Sequence, residues 1–323
     1  MLSILKTIGL TIIMITSESK ITVHNEESDQ HGYDKDITTN NGKTFVRTTH
    51  KFIDNKLKLN EPILIAGFPG PGLVGSISTN YIIDKLDMHQ IACIESPFII
   101  PGVIYTGGKL RHPFRLYANK QGNVCVLVCE APILIQGIYS VLDTVMKWSV
   151  NNGIKEVLVL EGIPFQGMPT ANRQPIVLSS DSSSGNEIQR EIDTVTTDQQ
   201  RQQQKQDKNN NNNYNIQKYF KQNTFIGGIS GGLLSACLSN EIQCTVLLIP
   251  TSSGIPDPDG AAVIVESIGK VTRNRNLDTD ARQLREQGAE LKKRMEEIIR
   301  SVREQQLQQQ GIGTGQEQQV MYG

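Results

Sequence analysis

Residues 124–129 read VCVLVC, six apolar positions without a polar interruption. A strand that shows one face to water alternates, so an unbroken apolar run between turn residues belongs to a strand covered on both faces. The same signature returns at residues 63–66, at 157–160 behind the acidic Glu156, and at 245–249. Between these runs the apolar residues change period. Leu73, Ile77, Tyr81 and the pair Ile82/Ile83 recur at helical spacing, as do residues in 134–150, 231–238 and 258–271. Buried strands alternating with helices predict an α/β fold, a three-layer α/β/α sandwich with a largely parallel sheet. Further short strands are expected at 90–94, within 101–118 and at 224–226.

The rest of the 323 residues reads differently. Residues 1–58 are mostly polar and aperiodic and are expected as a disordered N-terminal extension, with the fold proper beginning at Pro62. The α/β domain is expected over 59–275, interrupted at 180–222 by a solvated low-complexity insertion with a run of asparagines. Lys and Arg number 32 against 33 Asp and Glu, a formal charge of -1, which lacks the basic excess that nucleic-acid binding demands. Residues 8–15 are apolar behind Lys6 but too short to span a membrane, and no small-residue cleavage site follows. The five cysteines, Cys93, Cys125, Cys129, Cys237 and Cys244, lack CxxC spacing and read as buried thiols of a cytoplasmic protein.

Three motifs invite chemistry. Gly70, Gly72 and Gly75 spell GxGxxG inside GFPGPGLVG, and Glu95 lies at the distance of a ribose-binding acid. Pro69 and Pro71, however, remove two amides from the turn that would have to donate to a pyrophosphate. Gly67, Gly70, Gly72 and Gly75 are therefore expected to shape a rigid strand-to-helix corner. A GxSxG places Ser230 at another strand-to-helix turn, but all five histidines (His24, His31, His50, His89 and His112) precede it, against the chain order of an α/β-hydrolase. In PDPDG, Asp257 is expected as an N-cap, with Pro258 at the first helical position and Asp259 in the first turn, so no metal is required. Neither a cofactor nor a catalytic residue is assigned.

Beyond the domain, Leu277, Ala281, Leu284, Gly288, Leu291, Met295, Ile298 and Val302 follow at alternating steps of four and three. Such a heptad seam predicts a coiled-coil helix over 276–305 with Leu284, Leu291, Met295, Ile298 and Val302 at an oligomer contact. A helix packed on its own domain is the plainer alternative, and Gly288 weakens the seam. Residues 306–323 form a flexible tail ending Met321-Tyr322-Gly323, apolar and aromatic at the end of a polar linker. That chemistry suits a pocket on a partner, with the α-carboxylate available to a lysine.

Four stretches, GFPGPGLVGSISTNYII, APILIQGIYSVLDTVMKWSVNNGIKEVLVLEGIP, GGISGGLLSAC and LLIPTSSGIPDPDGAAVIVESI, resemble the proteasome assembly chaperone family, in particular its archaeal PbaB-like branch. The resemblance spans 61–272 and implies a phosphorylase-like sandwich without retained catalysis, self-assembly with a tetramer as the first expectation, and docking on the proteasome core particle. The family's hydrophobic-Tyr-X tail maps onto Met321, Tyr322 and Gly323. The expected function is an ATP-independent factor that helps assemble the core particle or opens its gate at the α ring. The alternative is a nucleoside- or nucleotide-binding enzyme of phosphorylase-like fold using the Gly70–Gly75 loop.

Overall fold

The computed structural model describes residues 43–48, 58–165, 173–201, 224–252, 254–272, 277, 280–291 and 293, with backbone alone for 194–201. The strands are β1 (Phe45–Thr48), β2 (Ile63–Gly67), β3 (His89–Glu95), β4 (Ile104–Thr106), β5 (Lys109–Arg111), β6 (Phe114–Ala118), β7 (Val124–Cys129), β8 (Glu156–Pro164), β9 (Ile176–Ser179) and β10 (Gln243–Thr251). The helices are α1 (Val74–Lys85), α2 (Ile138–Asn151), α3 (Ser182–Arg201), α4 (Gly228–Ser239) and α5 (Pro258–Val271), and residues 282–291 are also helical. None of the described helices is long and apolar enough to cross a membrane.

One sheet of eight strands runs β1-β3-β6-β7-β2-β8-β10-β9, and β4 pairs with β5 as a separate hairpin. β2 is parallel to β7 and β8, with Ile63 opposite both Val124 and Glu156, and β8 is parallel to β10. These central strands are the continuous apolar runs of the sequence, and they are buried on both faces. On one side Leu64, Ala66, Leu127 and Val159 pack with Val141 and Val145 of α2 and Leu233 and Cys237 of α4. On the other, Ile63, Ile65, Val126 and Leu160 pack with Ile82 of α1 and Ile264 and Ile268 of α5. A covered parallel centre requires helices on both faces, which is the three-layer sandwich.

Several expectations change. The sheet is parallel only in its centre. β1, β3 and β6 extend one flank antiparallel and β9 closes the other antiparallel to β10. Residues 45–48, expected within a disordered extension, form edge strand β1, held by the hydrogen bonds of β3, the Arg47–Glu95 ion pair and Val46 packed against the core. The region expected as a solvated insertion begins as α3. Asp181 caps it by accepting from Ser183 N at 3.0 Å, while Ile188 and Ile192 are buried on the α5 face of the sheet. Gln189, 1% exposed, accepts from Val177 N and donates to Pro175 O, which locks α3 onto β9. Residues 224–226, expected as a strand, are irregular.

The heptad seam divides. Leu277, Ala281 and Leu284 are buried in the core beside α1 and α5, and the Tyr81 hydroxyl donates to Asp280 O at 2.6 Å. A Cβ on Gly288 would lie 2.3 Å from Asp259 Oδ1, so glycine there allows the segment to lie against the start of α5. Leu284, expected at an oligomer contact, is thus covered by its own chain. Leu291 is half-buried, and Met295, Ile298 and Val302 lie outside the described residues.

A cleft at the carboxyl ends of the parallel strands

Parallel strands end on a common edge, so the loops that follow β2, β8 and β10 converge there. The three motifs singled out in the sequence occupy this edge together. After β2 the chain makes one 3-10 turn, Pro71–Leu73, before α1 begins. Gly72 has φ 64, a left-handed conformation costly for any residue with a Cβ. Its carbonyl accepts from Asp257 N at 2.8 Å, and a Cβ added to it would meet Thr251 Oγ1 at 2.2 Å. Gly67 and Gly75 allow α1 to approach the sheet: a Cβ on Gly67 would lie 2.2 Å from Gly75 O, and one on Gly75 2.5 Å from Leu160 O.

Asp257 caps α5 as its position before Pro258 suggests, accepting from Gly260 N at 2.9 Å. The carboxylate does more than cap. It accepts from Thr251 Oγ1 at 2.6 Å and pairs with the buried Arg173, fixing the loop after β10 against the glycine turn. Ser230 sits in the first turn of α4 and is 2% exposed. Its hydroxyl donates to Oε2 of Glu161, near the end of β8.

Glu161 is the residue that sequence reading missed. Burial pushes its carboxyl up to about 7, against the smaller opposing pull of the Ser230 hydroxyl and the Gly162 amide. Gly70 lies directly against it, since a Cβ there would fall 2.0 Å from Oε1. The Glu161 side chain is packed against Gly70, and Pro69 and Pro71 on either side of that glycine have no N–H, so the loop offers few donors. A pyrophosphate would find few amides and little room there, which argues against the dinucleotide reading of Gly70, Gly72 and Gly75. Glu95, the expected ribose partner, instead accepts from Arg47 Nε and Nη2 at 2.5 and 3.1 Å. Cys93 and His112 lie near that carboxylate, but the guanidinium already occupies both its oxygens.

Between the glycine turn, the end of β8 and residues 224–230 a cleft of about 400 Å³ opens, with Glu161 in its wall and Ile163, Ile226 and Leu248 among its apolar lining. A second polar cluster lies under the neighbouring strands. Arg115, fully buried, pairs with Glu130 and donates from Nε to the Tyr117 hydroxyl at 3.0 Å, while Asn80 Nδ2 donates to Glu130 at 3.0 Å. All five cysteines are free and buried, with burial raising the thiols of Cys125 and Cys129 to about 12. Met321, Tyr322 and Gly323 lie outside the described residues.

Among solved structures, a Thermoplasma acidophilum protein with unknown function is 31% identical, with a TM-score of 0.57 over 80% of this chain and 96% of that one. The Pyrococcus furiosus protein PbaA, an archaeal homolog of proteasome-assembly chaperone, is 21% identical, with a TM-score of 0.58 over 80% and 96% of the two chains. PbaB of the same organism, an archaeal proteasome activator, is 17% identical, with a TM-score of 0.58 over 81% and 99%. Both Pyrococcus likenesses are ones of fold. The family model described as the PAC2 family matches residues 64–299, from β2 through the 282–291 helix, and the chain belongs to the PAC2 family.

Proposed function

We propose that this chain is an ATP-independent factor of the proteasome core particle, either helping to assemble the α ring or opening its gate. The observation that carries the reading is the match to the PAC2 family across 64–299, joined to a fold shared with an assembly-chaperone homolog and an activator. Within that reading, Met321, Tyr322 and Gly323 are the docking residues of the PbaB-like branch. Tyr322 wedges between neighbouring α subunits and the terminal carboxylate pairs with a pocket lysine. Met321 adds apolar burial of at most about 1.5–3 kcal/mol, so one tail binds weakly and several carried by one oligomer bind well.

Self-association is part of the proposal, and the fold suggests where it is to be sought. Leu277, Ala281 and Leu284 are spent within the chain. The β4–β5 hairpin and the residue before it instead expose Tyr105, Leu110 and Val103 at 60%, 70% and 66%. Ile135 and Tyr139 are exposed at the entry to α2, on a segment tied to the residues before β4 by the Ile99–Ile133 bridge. Apolar exposure of these side chains supports placing the proposed contact here.

Removing Met321, Tyr322 and Gly323, with the mature C-terminus of the parent verified by mass spectrometry, tests the docking residues. Pull-down of the core particle and stimulation of its peptidase are expected to disappear while the oligomer's mass by light scattering stays unchanged. Undiminished pull-down from the truncated protein would overturn the tail mechanism.

A further inference from the structure

We propose that the cleft at the carboxyl ends of the parallel strands binds a small organic cation, an alkylammonium with an apolar body, whose head group pairs with Glu161. The cavity of about 400 Å³ is of small-ligand size. Its walls decide the class of ligand. Pro69 and Pro71 have no N–H to offer. Ile163, Ile226 and Leu248 supply hydrocarbon, and Phe225, 93% exposed, stands at the rim.

Glu161 is the charged group among the lining residues. It is met by the Ser230 hydroxyl from α4, by the Gly162 amide from its own strand and by the backbone of Gly70 from the loop after β2. β10 contributes only Leu248 to this wall. No cation reaches the carboxyl from any of these elements among the described residues. The nearby guanidinium of Arg173 is taken by Asp257 on the other side of the glycine turn. A head group with its own N–H donors and positive charge complements the ionised carboxyl, whereas at pH 8, where Glu161 is mostly ionised, an anion meets its repulsion. The apolar lining favours a hydrocarbon chain over a second charge.

Burial holds the carboxyl at about 7, which makes the site sensitive to pH in the neutral range. An alkylammonium stays protonated to about pH 10, so affinity follows ionisation of Glu161 alone. About a tenth of the sites are ionised at pH 6 and about nine tenths at pH 8, and apparent affinity should rise roughly tenfold between them.

The experiment is isothermal titration of the full-length protein with n-hexylammonium, 1-hexanol and hexanoate at pH 6, 7 and 8. Saturable binding of n-hexylammonium is expected, strengthening with pH by the stated factor. At pH 8 the alcohol should bind at least tenfold more weakly than the ammonium and hexanoate not at all. Glu161→Gln should lose at least tenfold toward the ammonium and all of its pH dependence. Ser230→Ala keeps the carboxyl but removes the donor that favours its ionised form, so the pH midpoint should move upward. Hexanoate binding as tightly as the ammonium, equal binding by Glu161→Gln, an unmoved midpoint in Ser230→Ala, or no saturable binding at pH 8 would each overturn the proposal. No proteasome enters the assay, so its failure leaves the docking reading standing, and the reverse.

Discussion

At the scale of a residue, Glu161 holds a proton in the folded chain that the unfolded chain releases. Its carboxyl rises from 4.5 to about 7 on folding. Between those values the native state binds the extra proton, so its stabilising share is complete below about pH 4.5 and is lost as pH rises through 7. Urea unfolding at pH 5, 6, 7 and 8 is expected to show the wild type losing up to about 3 kcal/mol relative to Glu161→Gln across that range. Parallel pH profiles for the two proteins would refute the shifted carboxyl. Gly72 offers a second residue-scale test. Gly72→Ala forces a Cβ into Thr251 at φ 64 and should cost about 1–3 kcal/mol or more, whereas Gly153→Ala, also at positive φ but with open space around it, should cost less. Glu161 was not legible in the sequence. In EVLVLEGIP it is one polar position at the end of a buried strand, and its meaning comes from Ser230, which lies 69 residues on, and from the Gly70 loop. Asp257 was legible because capping is local chemistry, set by the Pro258 and Gly260 beside it.

At the scale of an element, legibility followed burial. Strands β2, β7, β8 and β10 are covered on both faces, and their apolar runs announced them. β1 and α3 were hidden for the converse reason. β1 is an edge strand with exposed positions, and α3 contacts the core through Ile188, Gln189 and Ile192 in a sequence that is otherwise mostly polar. The heptad pattern was real, but periodicity reports an apolar stripe and not what covers it. Since Leu284 is covered by its own chain, Leu284→Ala should lower stability by about 2–5 kcal/mol and leave the molar mass of the assembly unchanged. Leu110→Asp on the exposed hairpin should do the opposite, lowering molar mass in light scattering with stability within about 0.5 kcal/mol of the wild type. A mass change in Leu284→Ala with none in Leu110→Asp would return assembly to the seam.

At the scale of the molecule, the sandwich divides its surface among separable tasks. The α5 face holds the 282–291 helix, the hairpin and the α2 entry expose apolar side chains, and the carboxyl edge carries the cleft. By sequence separation the proposed docking residues, beginning at Met321, stand well beyond Gly288, the last buried seam position among the described residues. If presentation of several tails is what the folded body contributes, affinity must be far greater than that of one tail. A synthetic EQQVMYG peptide is expected to bind the core particle about 10²–10⁴-fold more weakly than the intact oligomer, both measured by surface plasmon resonance at the same salt. Tyr322→Ala should abolish binding in either context, because the aromatic ring is the only large flat group the tail can place between subunits. In a Leu110→Asp protein that no longer self-associates, affinity should fall to the level of the peptide. A peptide as tight as the intact protein would mean that one tail suffices and that the assembled body serves some purpose other than gathering them.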